Sequence, residues 1–467
     1  MIQKLAFLIA LSVASAVLFA TFKTGNPIYH DDAFITLTYA RNLLSGNGLA
    51  FNPGEYVWGF TSPLHVITLS ILGLAFNDLP SVDLIIGVAS CALYPLVLFY
   101  LLRRLTSDLM AFIICLLTIT SPYNFQFLGL ETNLLILSQM GLLYVSLFGN
   151  PLIAGLLAAI TCLIRPDSIL FAIPIILLSK RLIKTRVALA FIIPGILWEG
   201  FSLAYFSDWL PQTFHAKKGL SNINDFLVIA LPGISKITFI SQQHAPYLWA
   251  SLNLITTLGC LANKRIRNSM PLVYALLIYP WVLIAAYASI GSPPGHSWEY
   301  RSAIVFNTIA LMLGFFQILE LSSNKFISLF IRERLSIQKI MQYTFVFGVL
   351  LLVTNNTQNH IQRIQSEKTE YWWGGRHHTY LMVADWLREN ITDKDKVLYG
   401  EPGTIAYFSG HFITDNFLIS HVGLEGVNYL IKQGDITNWD EAEQSFYRVK
   451  FFDKDGFEPI SILRKQL

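Results

Sequence analysis

Two adjacent carboxylates, Asp31 and Asp32, follow the first hydrophobic block of the chain by a few residues. A carboxylate pair at a membrane surface is unfavourable unless water, a cation or a substrate balances its charge. The segment after the pair contains aromatic residues, Arg41 and three potential turns built on Gly, Asn and Pro. This pattern predicts an ordered, polar-tipped loop that does chemistry at the edge of a membrane.

Transfer of a sugar from a lipid phosphate to an acceptor hydroxyl is a reaction that suits such a loop. It needs a base for the hydroxyl proton, and cationic or hydrogen-bonding groups for the departing phosphate. Asp31 or Asp32 could be the base. If inversion occurs in one step, a single essential carboxylate suffices, unlike the carboxylate pair of glycoside hydrolases. Candidates for the phosphate side are Arg165, His215, Lys217, Lys218 and Arg301.

Each candidate also has a structural interpretation that stays open. The Asp pair could be an N-cap for a helix over 33–44, and Asp167 could cap the helix after it. Arg165 could extend toward lipid headgroups, and Glu131 could favour a helix N-terminus through the dipole. The basic residues at 215–218 could contact headgroups, and Trp298 and Tyr300 could be interfacial aromatics. The functional interpretation therefore depends on these residues sharing one side of the membrane.

The composition indicates a polytopic membrane protein. Of the 467 residues, 54% are hydrophobic and only 13% are charged, whereas soluble domains carry about 25% charged residues. The net charge of +3 indicates nothing about partners, and no feature favours nucleic-acid binding. The cysteines lie inside hydrophobic blocks and are predicted to be small packing residues; they are Cys91, Cys115, Cys162 and Cys260.

The hydrophobic blocks predict about eleven spans. The block 5–22 is interpreted as an uncleaved first span rather than a signal peptide, because its apolar run continues past a possible cleavage site. The block 63–76 starts at Pro63 and is predicted to lie in the interface. The other predicted spans are 84–101, 109–120, 133–148, 151–164, 168–180, 187–206, 246–261, 271–290, 302–320 and 340–354.

The basic residues support this arrangement. With the N-terminus cytoplasmic, the clusters at 103–104, 180–186, 264–267 and 332–339 all lie inside, as the positive-inside rule expects. If 63–76 were a span, every later basic cluster would lie on the outer side of the membrane instead. The same arrangement places on the outer face Asp31, Asp32, Glu131, Arg165, Asp167, and the stretches 205–218 and 296–301. Such convergence of separated loops is what an active site above a membrane requires.

The chain changes character after about residue 355, where charged residues become frequent and long apolar runs stop. The patterns predict a small α/β domain outside the membrane, with a helix over 380–388, a strand over 396–400 and a helix or turn over 403–410. We therefore expect a transmembrane catalytic core at 1–354, with a first external loop at about 23–83, and an extracytoplasmic soluble domain at 355–467.

The segment DDAFITLTYARNLLSGNGLAFNPGEYVWGFTSPL, residues 31–64, resembles the first external loop of GT-C glycosyltransferases of the mycobacterial terminal β-arabinofuranosyltransferase type. The likeness covers nearly the whole chain. It continues through GLET (129–132), RPD (165–167), LPQTFHAK (210–217), WEYR (298–301) and the tail from Gly403, GTIAYFSGHFITDNFLISHVGL. The chain departs from the family at Thr38 (usually Arg), Trp58 (usually Glu) and Ser168 (usually Gly), which surround substrate-facing positions.

The resemblance implies a GT-C fold: a multi-span helical core with an in-plane loop helix and a C-terminal periplasmic domain. It also implies a polyprenyl-phosphate-linked sugar donor, with Asp31 as the first choice for the base and Asp32 as the second. On the donor-phosphate side it implies Arg165, His215, Lys217 and Arg301. As residues that shape the loop or line the substrate it implies Tyr39, Arg41, Glu131, Asp167, Trp298 and Glu299.

The sequence therefore predicts an inverting glycosyltransferase at the periplasmic face of the inner membrane. Arabinofuranose or a similar pentose or hexose would move onto a cell-envelope glycan, lipid or protein. A lipid-linked-sugar flippase or transporter is an alternative, although it should place ionisable residues near the bilayer midplane. A glycan ligase or polymerase is another. Asp31, Asp32 and Glu131 could also hold one divalent cation, although the prediction names no cofactor.

Overall fold

The computed structural model describes residues 30–120, 127–219, 245–292, 298–329, 358, 374–414, 427–433, 446–452 and 459–465. The predicted spans at 5–22 and 340–354 lie outside these residues. Most of the described chain is α-helical, and a small sheet lies near the C-terminus.

The apolar blocks form helices, as predicted. In chain order they are α1 (Asp31–Leu44), α2 (Pro63–Gly73), α3 (Leu79–Leu102), α4 (Asp108–Thr120), α5 (Thr132–Phe148), α6 (Pro151–Ile164), α7 (Ile169–Leu178), α8 (Thr185–Phe206), α9 (Gln212–Lys217), α10 (Ala245–Ala262), α11 (Lys264–Arg267), α12 (Met270–Ile290, with a π-helical turn at Tyr274–Ile278) and α13 (Arg301–Leu329). By length and composition, four of the described helices can cross a membrane: α3, α8, α12 and the Arg301–Ile318 part of α13. The others that coincide with predicted spans are shorter apolar helices, so the number of spans remains a prediction.

Short polar turns separate neighbouring helices. Asp78 accepts a hydrogen bond from the Ser81 amide at the start of α3 (3.3 Å), and Asn150 accepts one from the Leu152 amide at the start of α6 (2.9 Å). Each cap is followed closely by a proline, which is well tolerated in the first helical turn. Because these turns are short, successive helices run in opposite directions and their ends alternate between two ends of the bundle.

The basic loops meet at one of these ends. The Arg265 guanidinium donates a hydrogen bond to the Arg104 carbonyl oxygen (2.8 Å), and the side-chain amide of Asn263 donates to the Leu105 carbonyl oxygen (3.3 Å). Arg103 follows α3 directly, so this end is separated from the start of α3 by the length of that 24-residue helix, which is about 36 Å. We call the opposite end, where α3 starts, the loop end.

The C-terminal residues form a helix α14 (Gly374–Asn390), a strand β1 (Val397–Leu398), a helix α15 (Gly403–Ser409) and the strands β2 (Ile413–Thr414), β3 (Tyr429–Gln433), β4 (Phe446–Phe452) and β5 (Ile460–Lys465). The sheet order is β2-β1-β3-β5-β4. β1 is parallel to β2 and β3, whereas β5 is antiparallel to β3 and β4. The predicted elements near 380–388, 396–400 and 403–410 are therefore present, and α and β elements combine as expected.

Two large apolar cores hold the described chain together. One lies among the long helices and centres on Phe171, Tyr279 and Phe306, whose rings contact each other at centroid distances of 4.8, 5.2 and 5.7 Å. The other includes residues of α1, the start of α3, α14, α15 and the sheet. Because this second core is shared, α1 and the C-terminal elements pack as one unit.

Candidate active site at the loop end

The first loop is ordered by its own side chains. The Tyr39 hydroxyl donates to the Val57 carbonyl oxygen (2.7 Å) and accepts from the Gly59 amide (3.0 Å), so Tyr39 closes the loop. Trp58, one of the departures from the family pattern, is buried and stacks against Phe206 with ring centroids 5.9 Å apart. The loop therefore has a fixed shape, and Trp58 belongs to its apolar interior.

Asp31 and Asp32 occupy the first turn of α1, and neither is the N-cap of that helix. His30 is the N-cap, and its Nδ1 atom accepts a hydrogen bond from the Asp32 amide (3.2 Å). Successive helical residues are rotated by about 100° around the axis, so the two carboxylates face different surroundings. Asp31 is 6% exposed, whereas the Asp32 side chain is 39% exposed.

The Asp31 carboxylate caps α15 of the C-terminal domain. Its Oδ2 accepts from the Gly403 amide (3.1 Å) and its Oδ1 accepts from the Thr404 amide (2.7 Å). Burial raises the pKa of Asp31 to about 7, against the hydrogen bonds from Thr404, and the charges of Glu401 and Asp32 raise this pKa further. Capping was an open interpretation of the Asp pair, and the helix that Asp31 caps is remote in sequence.

The Asp32 carboxylate lies beside an aromatic cluster. Its Oδ2 is 3.9 Å from Nδ1 of His30, and the His30 ring meets the edge of Trp298 at a centroid distance of 4.4 Å. Phe127 contacts both rings. The WEYR segment and the segment before GLET therefore both reach the start of α1.

Arg165 joins the GLET and RPD segments through a buried network. Its Nη1 donates to Glu131 (2.8 Å), and its Nε and Nη2 donate to the two carboxylate oxygens of Asp167 (3.2 and 3.1 Å). Nη2 also donates to the Tyr287 hydroxyl (2.8 Å), which in turn donates to Asp167. A guanidinium has five N–H groups, so four of them already have partners, and one N–H on Nη1 has none among the described residues.

A second buried pair, His65 and Asp83, lies near this network. His65 Nε2 and Asp83 Oδ1 are 2.9 Å apart, and both side chains are 1% exposed. Glu131 is close enough to interact electrostatically with both residues. Sequence reasoning missed this pair because the predicted span starts at residue 84, whereas the observed helix α3 starts at Leu79 and includes Asp83; an acid inside a long apolar helix is a signal of an internal polar site.

Glu299 and Arg301 are both buried. Glu299 accepts a hydrogen bond from the Ser292 hydroxyl (2.8 Å). Arg301 is the first residue of α13, is 4% exposed, and interacts electrostatically with Cys91 and Tyr94 of α3. The Arg301 charge is therefore inside the bundle, beside the middle of α3.

The LPQTFHAK stretch contacts the first loop through its backbone. The Gln212 amide donates to the Trp58 carbonyl oxygen (2.8 Å), and α9 starts at this contact. His215 is exposed on α9, and the Lys217 side chain lies outside the described residues. Arg41, the remaining predicted residue, is half-buried and donates to the Tyr407 carbonyl oxygen of α15.

An apolar cavity of about 550 Å³ opens between the first loop and α8. Its lining includes Leu49, Leu64, Leu197 and Phe201, and the Tyr205 hydroxyl in its wall accepts from the Leu49 amide (2.9 Å). Leu163, two residues before Arg165, also lines it. The cavity therefore joins the first loop to the apolar surfaces of α6 and α8. Within the described parts of the chain, no group of three His, Cys, Asp or Glu side chains is arranged to hold a metal ion.

The chain shares its fold with solved membrane proteins. ArnT from Cupriavidus metallidurans bound to undecaprenyl phosphate superposes with a TM-score of 0.62 at 13% identity, over 97% of each chain. The apo oligosaccharyltransferase of Archaeoglobus fulgidus gives 0.58 at 15% identity, over 92% of this chain and 69% of that one. AglB from the same organism, in complex with an inhibitory peptide and a dolichol-phosphate, gives 0.52 at 14% identity, over 96% and 74%.

No family model and no curated protein matches the sequence. The mostly helical bundle with its small mixed sheet therefore has the fold of ArnT and of the oligosaccharyltransferases. The predicted fold is correct at this level. The narrower likeness to the arabinofuranosyltransferase type remains a prediction.

Proposed function

We propose that this protein is a glycosyltransferase that moves a sugar from a polyprenyl-phosphate donor to a cell-envelope acceptor. The observation that carries the proposal is the carboxylate pair at the start of α1, placed at the loop end of a fold shared over 97% of both chains with ArnT bound to undecaprenyl phosphate. In this proposal the loop end faces the periplasm and the basic end faces the cytoplasm, as the positive-inside rule favours.

Asp32 is the better candidate for the base. A base must reach the acceptor hydroxyl, so geometry is considered before pKa. The pKa of Asp31, raised by burial to about 7, would suit a base, but both of its oxygens already accept backbone hydrogen bonds from α15. The Asp32 carboxylate is 39% exposed and lies beside His30 and Trp298, so an acceptor hydroxyl can approach it.

The departing phosphate requires positive charge near the base. Arg301 brings one buried guanidinium into the bundle beside α3, and Arg165 has one N–H without a partner among the described residues. His215 and Lys217 complete the predicted phosphate set. In this proposal the main task of Arg165 is to hold Glu131 and Asp167 in place, because a buried Arg that pairs with two carboxylates is costly to displace.

The lipid part of the donor fits the apolar cavity beside α8. Pockets of about 300–1,000 Å³ that are mostly apolar are typical of ligand sites, and this one has a volume of about 550 Å³ and is bounded on one side by the first loop. An isoprenoid chain would lie against Leu197 and Phe201 with its phosphate toward the loop end. The sugar is proposed to be arabinofuranose or a similar pentose or hexose.

The positions of the ionisable residues favour transfer over transport. Glu131 precedes the first residue of α5, Arg165 follows the last residue of α6, and Arg301 is the first residue of α13. These groups therefore lie at helix ends, whereas a transporter should carry its coupling groups near the midplane of broken helices. A ligase that joins preassembled glycans would use the same residues, and analysis of the product distinguishes it.

The test compares wild type with the Asp32→Asn and Asp31→Asn variants, each purified in lipid with a radiolabelled polyprenyl-phospho-pentose. Asn keeps the shape of Asp but cannot take the proton, so we expect Asp32→Asn to reduce transfer by at least about 100-fold with donor binding retained. Asp385→Asn is the matched control, because Asp385 is 59% exposed and pairs only with Arg388 on the surface.

The outcomes separate the assignments. Loss of transfer in Asp32→Asn, with Asp385→Asn fully active, supports Asp32 as the base. If only Asp31→Asn is inactive while its fold is intact, the base is Asp31. Full transfer by both variants contradicts any catalytic role of the pair, and absence of transfer by wild type with pentose and hexose donors contradicts the proposed donor class.

A further inference from the structure

The C-terminal helix α15 is bracketed by two opposite charges of α1. Asp31 accepts hydrogen bonds from the Gly403 and Thr404 amides at the start of α15. Arg41 donates to the Tyr407 carbonyl oxygen near its end, and the Arg41 guanidinium lies 4.9 Å from the centre of the Tyr407 ring. These contacts satisfy backbone groups at both ends of the helix, so α1 is arranged to hold α15.

A third contact extends this junction to the sheet. The Asn52 side-chain amide donates to the Ile413 carbonyl oxygen (2.9 Å), and its Oδ1 accepts from the Ile413 amide (3.2 Å). Asn52 thereby pairs with β2 as a neighbouring strand would. Polar groups in a buried contact favour one defined geometry, because each unmade bond is costly.

Close packing fixes the distance between the two helices. A methyl group at Gly403 would lie 2.1 Å from the Asp31 carbonyl oxygen, which is a backbone atom that cannot rotate away. Phe34 of α1 contacts Tyr407 and Phe408 with ring centroids 5.3 and 5.2 Å apart. The junction is therefore a close-packed surface that accepts only glycine at position 403.

The junction also encloses a polar cavity of about 220 Å³. Its walls come from α1 and the following loop, through Arg41, Asn42 and Asn47, and from the C-terminal domain, through Gly410 and His411. The lining combines guanidinium, amide, hydroxyl and imidazole groups with Phe51 and Pro53, and contains no carboxylate. Hydrogen-bonding groups beside apolar surface are the combination that binds a sugar ring.

The position of the cavity relates it to the carboxylate pair. Thr38, which lines it, is six residues after the proposed base Asp32 in α1, which is about 9 Å along the helix axis. A group bound in the cavity would be near the reacting hydroxyl without reaching the base itself. This is where a second sugar of an acceptor chain would lie.

We propose that the C-terminal domain docks on α1 to complete a subsite for a hydroxyl-rich acceptor, and that Asp31 and Arg41 are positioning residues of this junction. The subsite rests on the proposed function, whereas the docking does not. A shift of α1 against α15 would both open the cavity and move Asp32, and displacements of about 1 Å at reacting groups reduce rates by about 100-fold.

Three variants test the proposal. Gly403→Ala forces the helices apart. Gly400→Ala is its matched control, because a methyl group there meets no atom within 4 Å. Asn47→Leu changes the cavity lining and leaves the junction intact, because Asn47 is exposed and its side chain takes no part in the Asp31, Arg41 or Asn52 contacts. Hydrogen exchange at the amides of residues 403 and 404 reports docking, and the KM values for donor and acceptor report binding.

In Gly403→Ala we expect the two amides to exchange at least about tenfold faster and the acceptor KM to rise about tenfold, with the donor KM unchanged. Asn47→Leu should raise the acceptor KM alone, and Gly400→Ala should change nothing. Unchanged exchange in a folded Gly403→Ala protein contradicts the docking. An unchanged acceptor KM in Asn47→Leu contradicts the subsite. If the wild type is inactive, the proposed function is contradicted, and the hydrogen-exchange result still tests whether the C-terminal elements dock on α1.

Discussion

The buried pair of His65 and Asp83 gives a prediction that does not depend on the reaction. Both side chains are 1% exposed, with Nε2 and Oδ1 only 2.9 Å apart. Replacing His65 alone with Leu leaves a buried carboxylate without its main partner, which destabilises proteins by about 3–5 kcal/mol. Asp83→Leu leaves a buried imidazole that is easily neutralised, so we expect a smaller loss of about 1–3 kcal/mol.

The double variant His65→Leu/Asp83→Leu should recover most of this loss. His65 Nδ1 and Asp83 Oδ2 are buried without a hydrogen-bond partner among the described residues, so the wild-type pair already carries unsatisfied polar atoms. Apolar replacement of such a pair is often neutral or stabilising. The structure therefore implies a coupling energy of about 3 kcal/mol or more between the two positions.

The assay is reversible unfolding of the four proteins in the same detergent, with Ser70→Ala as a control on α2. Ser70 is 7% exposed and bonds only within its helix, to the Val66 carbonyl oxygen (2.9 Å), so its loss should cost less than about 1.5 kcal/mol. Additive effects of the two single substitutions would refute the coupling. A stable double variant that no longer transfers sugar would show that the pair also serves the site.

Two further predictions concern the junction and the cavity. Burial raises the pKa of Asp31 from 3.8 to about 7, so the folded state favours the protonated carboxyl. The stabilising contribution of this group is therefore complete below pH 3.8 and declines as the pH rises to about 7. The difference in melting temperature between wild type and Asp31→Asn should fall across that window, and a constant difference would contradict this. Leu197 lines the apolar cavity and Leu189 does not, although both are exposed leucines of α8. Leu197→Trp should therefore raise the donor KM about tenfold, and Leu189→Trp should leave the donor KM unchanged. Equal donor KM values for the two variants would show that the cavity is not part of the donor site.

Local patterns predicted the helices because hydrophobicity is a property of each segment. Every predicted span between 84–101 and 302–320 coincides with a helix, and the elements near 380–388 and 403–410 were also predicted. The juxtaposition of Glu131, Arg165 and Asp167 could be expected from a shared side of the membrane, and the structure brings all three together.

Contacts between distant segments could not be predicted in this way. The hydrogen bond between Asp31 and the Gly403 amide joins residues 372 positions apart. The local sequence of neither segment predicts this contact. The resemblance put Asp31 before Asp32 as the base, but only the observed start of α1 determines which neighbour faces α15. Helical rotation between adjacent residues makes the two carboxylates different in burial, although they are identical in type.

This difference gives a physical reason to separate their roles. Asp31, Glu131 and Asp167 each accept hydrogen bonds from backbone amides or from Arg165, so their charges already serve the architecture. A buried carboxylate whose oxygens are occupied by such donors is out of reach of an acceptor hydroxyl, and reach is considered before pKa. Asp32 is the more exposed member of the pair, and its Oδ2 lies 3.9 Å from Nδ1 of His30. The same helix turn thus supplies one carboxylate that fixes the C-terminal domain and one that stays available to an acceptor, which is why the Asp32→Asn and Gly403→Ala variants should impair transfer by different routes.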